Sequence, residues 1–196
     1  GSIEAGAASV ATSWTWGSTD KWVVGGVSIR QHVTGSESTS FQQGTSGYAG
    51  TQDTFVDEGE PTTNKGAETS VDIDLFDGGS DATAQGLLRF DSIFGNGAGQ
   101  IPLGSTVNSA SLQVFVNNPS ASGAAVTLHR MLVTWDESST WNSLTGGIST
   151  NDGEASSTAD STVADPTATG LISLSGFEST IQAWSDGDTN YGWTIQ

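Results

Sequence analysis

The 196-residue chain has no cysteine, which excludes a disulfide framework, a thiolate nucleophile and any Cys-based metal site. Positive charge is nearly as scarce: 5 Lys and Arg stand against 22 Asp and Glu, a formal net charge of −17. That field repels duplex DNA, RNA and anionic lipid at long range, so nucleic acid is excluded as a partner. Acidic polysaccharides are disfavoured too, unless divalent cations bridge carboxylate to carboxylate. No apolar run approaches the roughly 18 residues of a membrane span, and no membrane insertion is expected. The chain opens with neither Met nor an apolar signal segment and reads as a mature or excerpted soluble product. There are 2 histidines, His32 and His129, and no His-Glu-x-x-His, no Gly-x-Ser-x-Gly elbow and no phosphate-cradling Gly loop, so the expectation is a non-enzyme. A Cys-free acidic chain with a single Met, rich in Ser, Thr and Gly, fits an extracellular or cell-surface setting.

The length suffices for one large all-β domain. The densest apolar stretches are Gly86-Leu87-Leu88-Arg89-Phe90-Asp91 and residues 102–116, expected to form the central strand pair of a β-sandwich. Residues 1–34 carry Trp14, Trp16 and Trp22 in alternating patterns that read as a hairpin extension. Its rings are either buried or an exposed platform for sugar stacking. The polar, Gly-rich residues 35–52 read as a linker, and residues 53–196 as the sandwich domain. Within it, short alternating segments are expected at 53–57, 69–76, 87–91, 110–117 and 125–133, with turn chemistry between them. Residues 145–170 have almost no large apolar side chain and read as a long surface loop. One helix follows, with Ser175 and Glu178 as a capping box, Phe177, Ile181 and Trp184 on one face and Gly187 as its stop. The last strand runs over 191–196. The fold class is therefore all-β: an antiparallel jelly-roll-like β-sandwich with one short α-helix near the C-terminus.

Among 22 acids, two groups offer hard oxygen ligands to calcium. Asp186, Asp188 and Asn190 alternate around Gly187, while Asp72 and Asp74 precede Asp77 and Asp81. Neither has EF-hand spacing, and the plainer account is a helix end with a polar turn and a solvated strand face. Trp135, Trp141 and Trp184 are candidates for a sugar-binding surface, against the commoner role of core tryptophans. Arg89, in a strand expected to be buried, requires a carboxylate partner such as Asp91 or Asp136.

The segments Asp53-Thr54-Phe55-Val56-Asp57, Leu87-Leu88-Arg89-Phe90-Asp91, Val107-Asn108-Ser109-Ala110-Ser111-Leu112, Trp135 to Asn142, Ile181 to Trp184 and Asn190-Tyr191-Gly192-Trp193 together resemble the DNRLRE domain. That family of bacterial and archaeal surface-protein modules is related to a family of carbohydrate-binding modules. The resemblance covers residues 41–196 and implies the sandwich fold. It also implies one or two further strands after the Gly-Trp strand, which would leave a sheet edge open at 191–196. Relatives that recognise alginate would be expected to use basic residues, and Lys21, Arg30, Lys65, Arg89 and Arg130 are the whole basic set. Two functions follow as expectations. One is a surface or fibre building block that joins copies of itself or neighbouring modules by strand complementation, through Trp14, Trp16, Trp22, Tyr191 and Trp193. The other is a carbohydrate-binding module for a neutral polysaccharide.

Overall fold

In the computed structural model, residues 36–74, 82–119 and 125–196 are described. The N-terminal hairpin expected at 1–34, with Trp14, Trp16 and Trp22, lies outside them. Among the described residues seven strands form in chain order: β1 Thr51–Asp57, β2 Ala84–Phe90, β3 Ser111–Val116, β4 Val126–Met131, β5 Ala155–Val163, β6 Gly170–Ser175 and β7 Trp193–Ile195. One helix, α1 Glu178–Ser185, stands between β6 and β7. The strands make two antiparallel sheets, one of five strands in the order β1-β2-β7-β4-β5 and one of two, β3-β6. The fold is the all-β sandwich with one short helix that the residue pattern predicts.

The larger sheet is buried on both faces. Leu128, Trp193 and Ile195 face β3, β6 and α1 in a core shared with Leu174, Phe177 and Trp184. Their neighbours along the strands, Val56, Leu87, Met131 and Ala155, face the opposite way and pack against Trp135, Leu144 and Ile148 from the β4–β5 connection. Two buried faces explain the adjacent Leu87 and Leu88 of β2, one for each core. β3 alternates instead, with Leu112, Val114 and Val116 turned inward and Phe115 outward at 65% exposure, as a strand with one wet face must.

This difference corrects the expected pairing of β2 with β3, which lie in different sheets. A second correction concerns the open edge expected at 191–196. β7 is the middle strand, with Leu88↔Trp193 on one side and Arg130↔Trp193 on the other. Its backbone groups are thus already paired, and strand complementation has no free template there. Third, the expected loop at 145–170 contains the nine-residue β5. Its inward positions are small, Ala155 and Ser161, and its register against β4 shifts at His129, so neither bulk nor strict alternation advertises it. Fourth, residues 69–73 make no strand, although Asp74 bridges to Ala84.

The helix stops as expected but starts differently. Gly187 follows it at φ 113°, its N–H donating to the Trp184 carbonyl at 3.2 Å. Ser175 ends β6, the N-cap position is Phe177, and no side chain caps the first turn. Glu178 Oε1 accepts the Ala110 N–H at 3.1 Å instead, so a tertiary contact replaces the local capping box.

Candidate functional site

Of the four tryptophans among the described residues, the core takes three. Trp135 is 4% exposed, donates its indole N–H to the Tyr191 carbonyl at 2.6 Å, and lies under the Arg89 guanidinium at 4.9 Å. Arg89 also pairs with Asp91, at 2.6 Å through Nε and 3.2 Å through Nη2, and donates to the Trp135 carbonyl at 2.9 Å. Asp91 is therefore the partner this guanidinium requires, and Asp136 turns to Ser138. Trp184, 2% exposed, packs against Trp193 with ring centroids 4.6 Å apart and planes tilted by 58°, and Trp193 donates to Asp160 at 2.7 Å. Tyr191 is half-buried against the Trp135 cluster. Trp135, Trp184 and Trp193 thus hold the core and leave no ring face for a ligand.

The candidate calcium ligands have other partners. Asp186 accepts from Gln182 at 2.9 Å, Asp188 from Arg130 at 3.0 Å, and Asn190 ties the turn by donating to Phe90 O and accepting from Gly192 N–H. Asp72 and Asp74 are exposed. Among the described residues no three of His, Cys, Asp and Glu are grouped to hold a metal ion.

Trp141 differs from the other described tryptophans. It is only partly buried and lines a shallow notch of about 180 Å³ with Thr145, Ser149, Glu154, Gln85 and the Gly146–Ile148 backbone. A short 3-10 turn, Asn142–Leu144, follows it and ends in Thr145 at φ 58°. The chain then folds back, and the N–H groups of Gly146 and Gly147 donate to the Trp141 carbonyl at 3.0 and 3.2 Å. Gly147 has φ 94°, and a Cβ there would sit 2.6 Å from the indole ring, so this return over the ring needs glycine.

Buried Gln85 anchors the next residue: its Nε2 donates to the Ile148 carbonyl at 3.0 Å and its Oε1 accepts the Ile148 N–H at 2.7 Å. Across the notch, Glu154 takes one hydroxyl on each carboxylate oxygen, Thr145 Oγ1 at 2.8 Å on Oε1 and Ser149 Oγ on Oε2. The Ser149 and Thr145 hydrogen bonds hold the Glu154 carboxyl below its ordinary range.

No cation lines the notch. The Lys and Arg of the described residues are all ion-paired: Lys65 with Glu60 at 2.5 Å, Arg89 with Asp91 and Arg130 with Asp188. A larger cavity of about 800 Å³ lies between the sheets, with Leu88, Val114, Leu128, Leu174 and Ile195 in its lining. The notch, by contrast, sets an indole beside two hydroxyls and a carboxylate.

A family model for carbohydrate-binding module family 96 matches residues 44–168. The chain belongs to carbohydrate-binding module family 96. No curated protein and no solved structure matches it. The family-96 match spans β1 to β5 and includes Gln85, Trp141 and Glu154. It supports the carbohydrate-binding side of the resemblance read from the sequence. Trp141 was visible there as a candidate. Gln85, Thr145, Ser149 and Glu154 were not, because nothing local distinguishes them from the surrounding polar residues and only the fold brings them together.

Proposed function

We propose that this family-96 module is non-catalytic, acts outside the cell and binds a neutral polysaccharide at the Trp141 notch. The observation that carries the reading is the pairing of a partly exposed indole with a carboxylate and two hydroxyls, in a site that no cation lines. Sugars present an apolar C–H face and a rim of hydroxyls, and such a ligand suits an aromatic wall beside a few placed acceptors. A uronate would bring its own negative charge against Glu154 in a chain of net charge −17, so the neutral class is favoured.

Affinity electrophoresis against β-glucan, xylan and mannan, with alginate as the acidic counterpart, tests the proposal. We expect retardation by at least one neutral glycan and none by alginate. Trp141→Ala should weaken binding about tenfold or more, equivalent to about 1.4 kcal/mol. Failure of every neutral glycan to bind, or binding of alginate without divalent ions, would sink it.

A further inference from the structure

Resting on the neutral-glycan reading but on a site of its own, we infer that the outer face of β3 and β6 is a second contact surface for the same class of polysaccharide, and that the module bridges two glycan chains. The register Ser111↔Ser175, Gln113↔Ser173 and Phe115↔Leu171 sets three directly opposed pairs on that two-stranded sheet. All six residues are exposed. Phe115 and Leu171, at 65% and 63%, are the two most exposed large apolar side chains among the described residues. Single exposed apolar residues are ordinary, but a directly opposed ring and aliphatic side chain make one continuous patch. Beside it lie an amide and three hydroxyls, with Gln113 Nε2 donating to Ser173 Oγ at 3.2 Å.

Charge selects the occupant. None of the six residues is charged, in a chain with 22 Asp and Glu. Two copies at a net −17 each repel one another, and a cationic partner finds no carboxylate among these pairs. An uncharged ligand with apolar C–H faces and hydroxyl edges matches a ring and a leucine bordered by an amide and hydroxyls. Position gives the bridging. β3 and β6 cover the face of the larger sheet that carries Leu128, Trp193 and Ile195, whereas Trp141 packs with Val56, Leu87 and Met131 on the other face. Packed sheets stand about 10 Å apart, so at least that thickness separates the notch from the outer face of β3 and β6. A straight glycan segment touches one site or the other, and filling both joins two chains.

The test adds the protein to soluble β-glucan, xylan or mannan and reads solution viscosity, beside affinity electrophoresis in the same glycans. Bridging predicts that a glycan which retards the protein also gains viscosity from it, and that Trp141→Ala and Phe115→Thr each lose that gain. The retardation left in Trp141→Ala should fall about tenfold or more when Phe115→Thr is added, and Leu171→Thr should act likewise from the neighbouring strand. Threonine suits an exposed strand position, so the melting temperatures of Phe115→Thr and Leu171→Thr should stay near that of the parent. Retardation that neither threonine variant changes, or binding with no gain in viscosity, would overturn the inference while leaving the notch reading intact. Dimerisation of the parent without glycan, abolished by Phe115→Thr, would give the face to a second copy and overturn it as well. Absence of binding to all three glycans would overturn both readings.

Discussion

Gln85 and Ile148, 63 residues apart in the chain, exchange two hydrogen bonds, at 3.0 and 2.7 Å, between a buried side-chain amide and a single backbone unit. The pair fixes the segment that crosses the notch to β2 of the larger sheet. The Ile148 carbonyl has a second donor in Gln196 Nε2, at 2.9 Å, so the Ile148 N–H depends most on Gln85.

Replacing Gln85 with Leu should leave that N–H buried without an acceptor. We expect a loss of about 1–3 kcal/mol, the cost of an unsatisfied buried donor, read as a lower urea midpoint at unchanged m-value. Gln85→Glu keeps the acceptor but sets a carboxylate against the Ile148 carbonyl, and should also destabilise. A Leu variant as stable as the parent would show that the clamp is dispensable.

Trp184 offers the opposite case. Its indole Nε1 is buried and has no hydrogen-bond partner. Trp184→Phe should therefore be close to neutral, because the lost contact area is offset by removal of an unsatisfied N–H. Trp184→Ala should cost about 3–5 kcal/mol through the cavity it leaves beside Trp193 and Phe177. Equal losses for the two variants, in chemical denaturation, would contradict this.

The Arg89 guanidinium combines a two-pronged pair to Asp91, a bond to the Trp135 carbonyl and a position over the Trp135 ring. Lysine cannot reproduce the fork or the planar contact. Arg89→Lys should lose about 1–2 kcal/mol, tempered by the partial exposure of Asp91, and Arg89→Ala should lose more because packing against the ring goes as well. A double-mutant cycle with Asp91→Asn measures the coupling.

Acidification should act on Glu154 in a defined direction. Hydrogen bonds from Ser149 and Thr145 hold its folded value below the ordinary 4.5, so its stabilising contribution is complete above pH 4.5 and is lost as pH falls through the depressed folded value. Protonation elsewhere relieves the self-repulsion of a chain at −17, so the informative quantity is a difference. The melting temperature of the parent should exceed that of Glu154→Gln near neutral pH, and the gap should close toward pH 3. A gap independent of pH would assign the effect to something other than the Glu154 charge.

Strand periodicity and turn residues made the β-class legible, and the apolar repeat of Phe177, Ile181 and Trp184 with Gly187 after it placed the helix. Local signals erred where a tertiary partner outcompeted a local one. Ser175 could not cap α1 because β6 needed it, and Glu178 turned to Ala110. β5 was hidden because strand pairing accepts Ala, Ser and Thr wherever the neighbour supplies the bulk.

By itself, then, the sequence determined the fold class, the absence of thiol chemistry and the repulsion of polyanions, since these follow from composition and from periods of 2 and 3.6 along the chain. Only the tertiary structure decided that β7 is the middle of a sheet rather than its edge, that Trp135, Trp184 and Trp193 are core, and that Trp141 meets Glu154. The reason is physical: which strand sits beside which, and which side chains converge, is fixed by packing energies between residues tens of positions apart, and no local pattern records them.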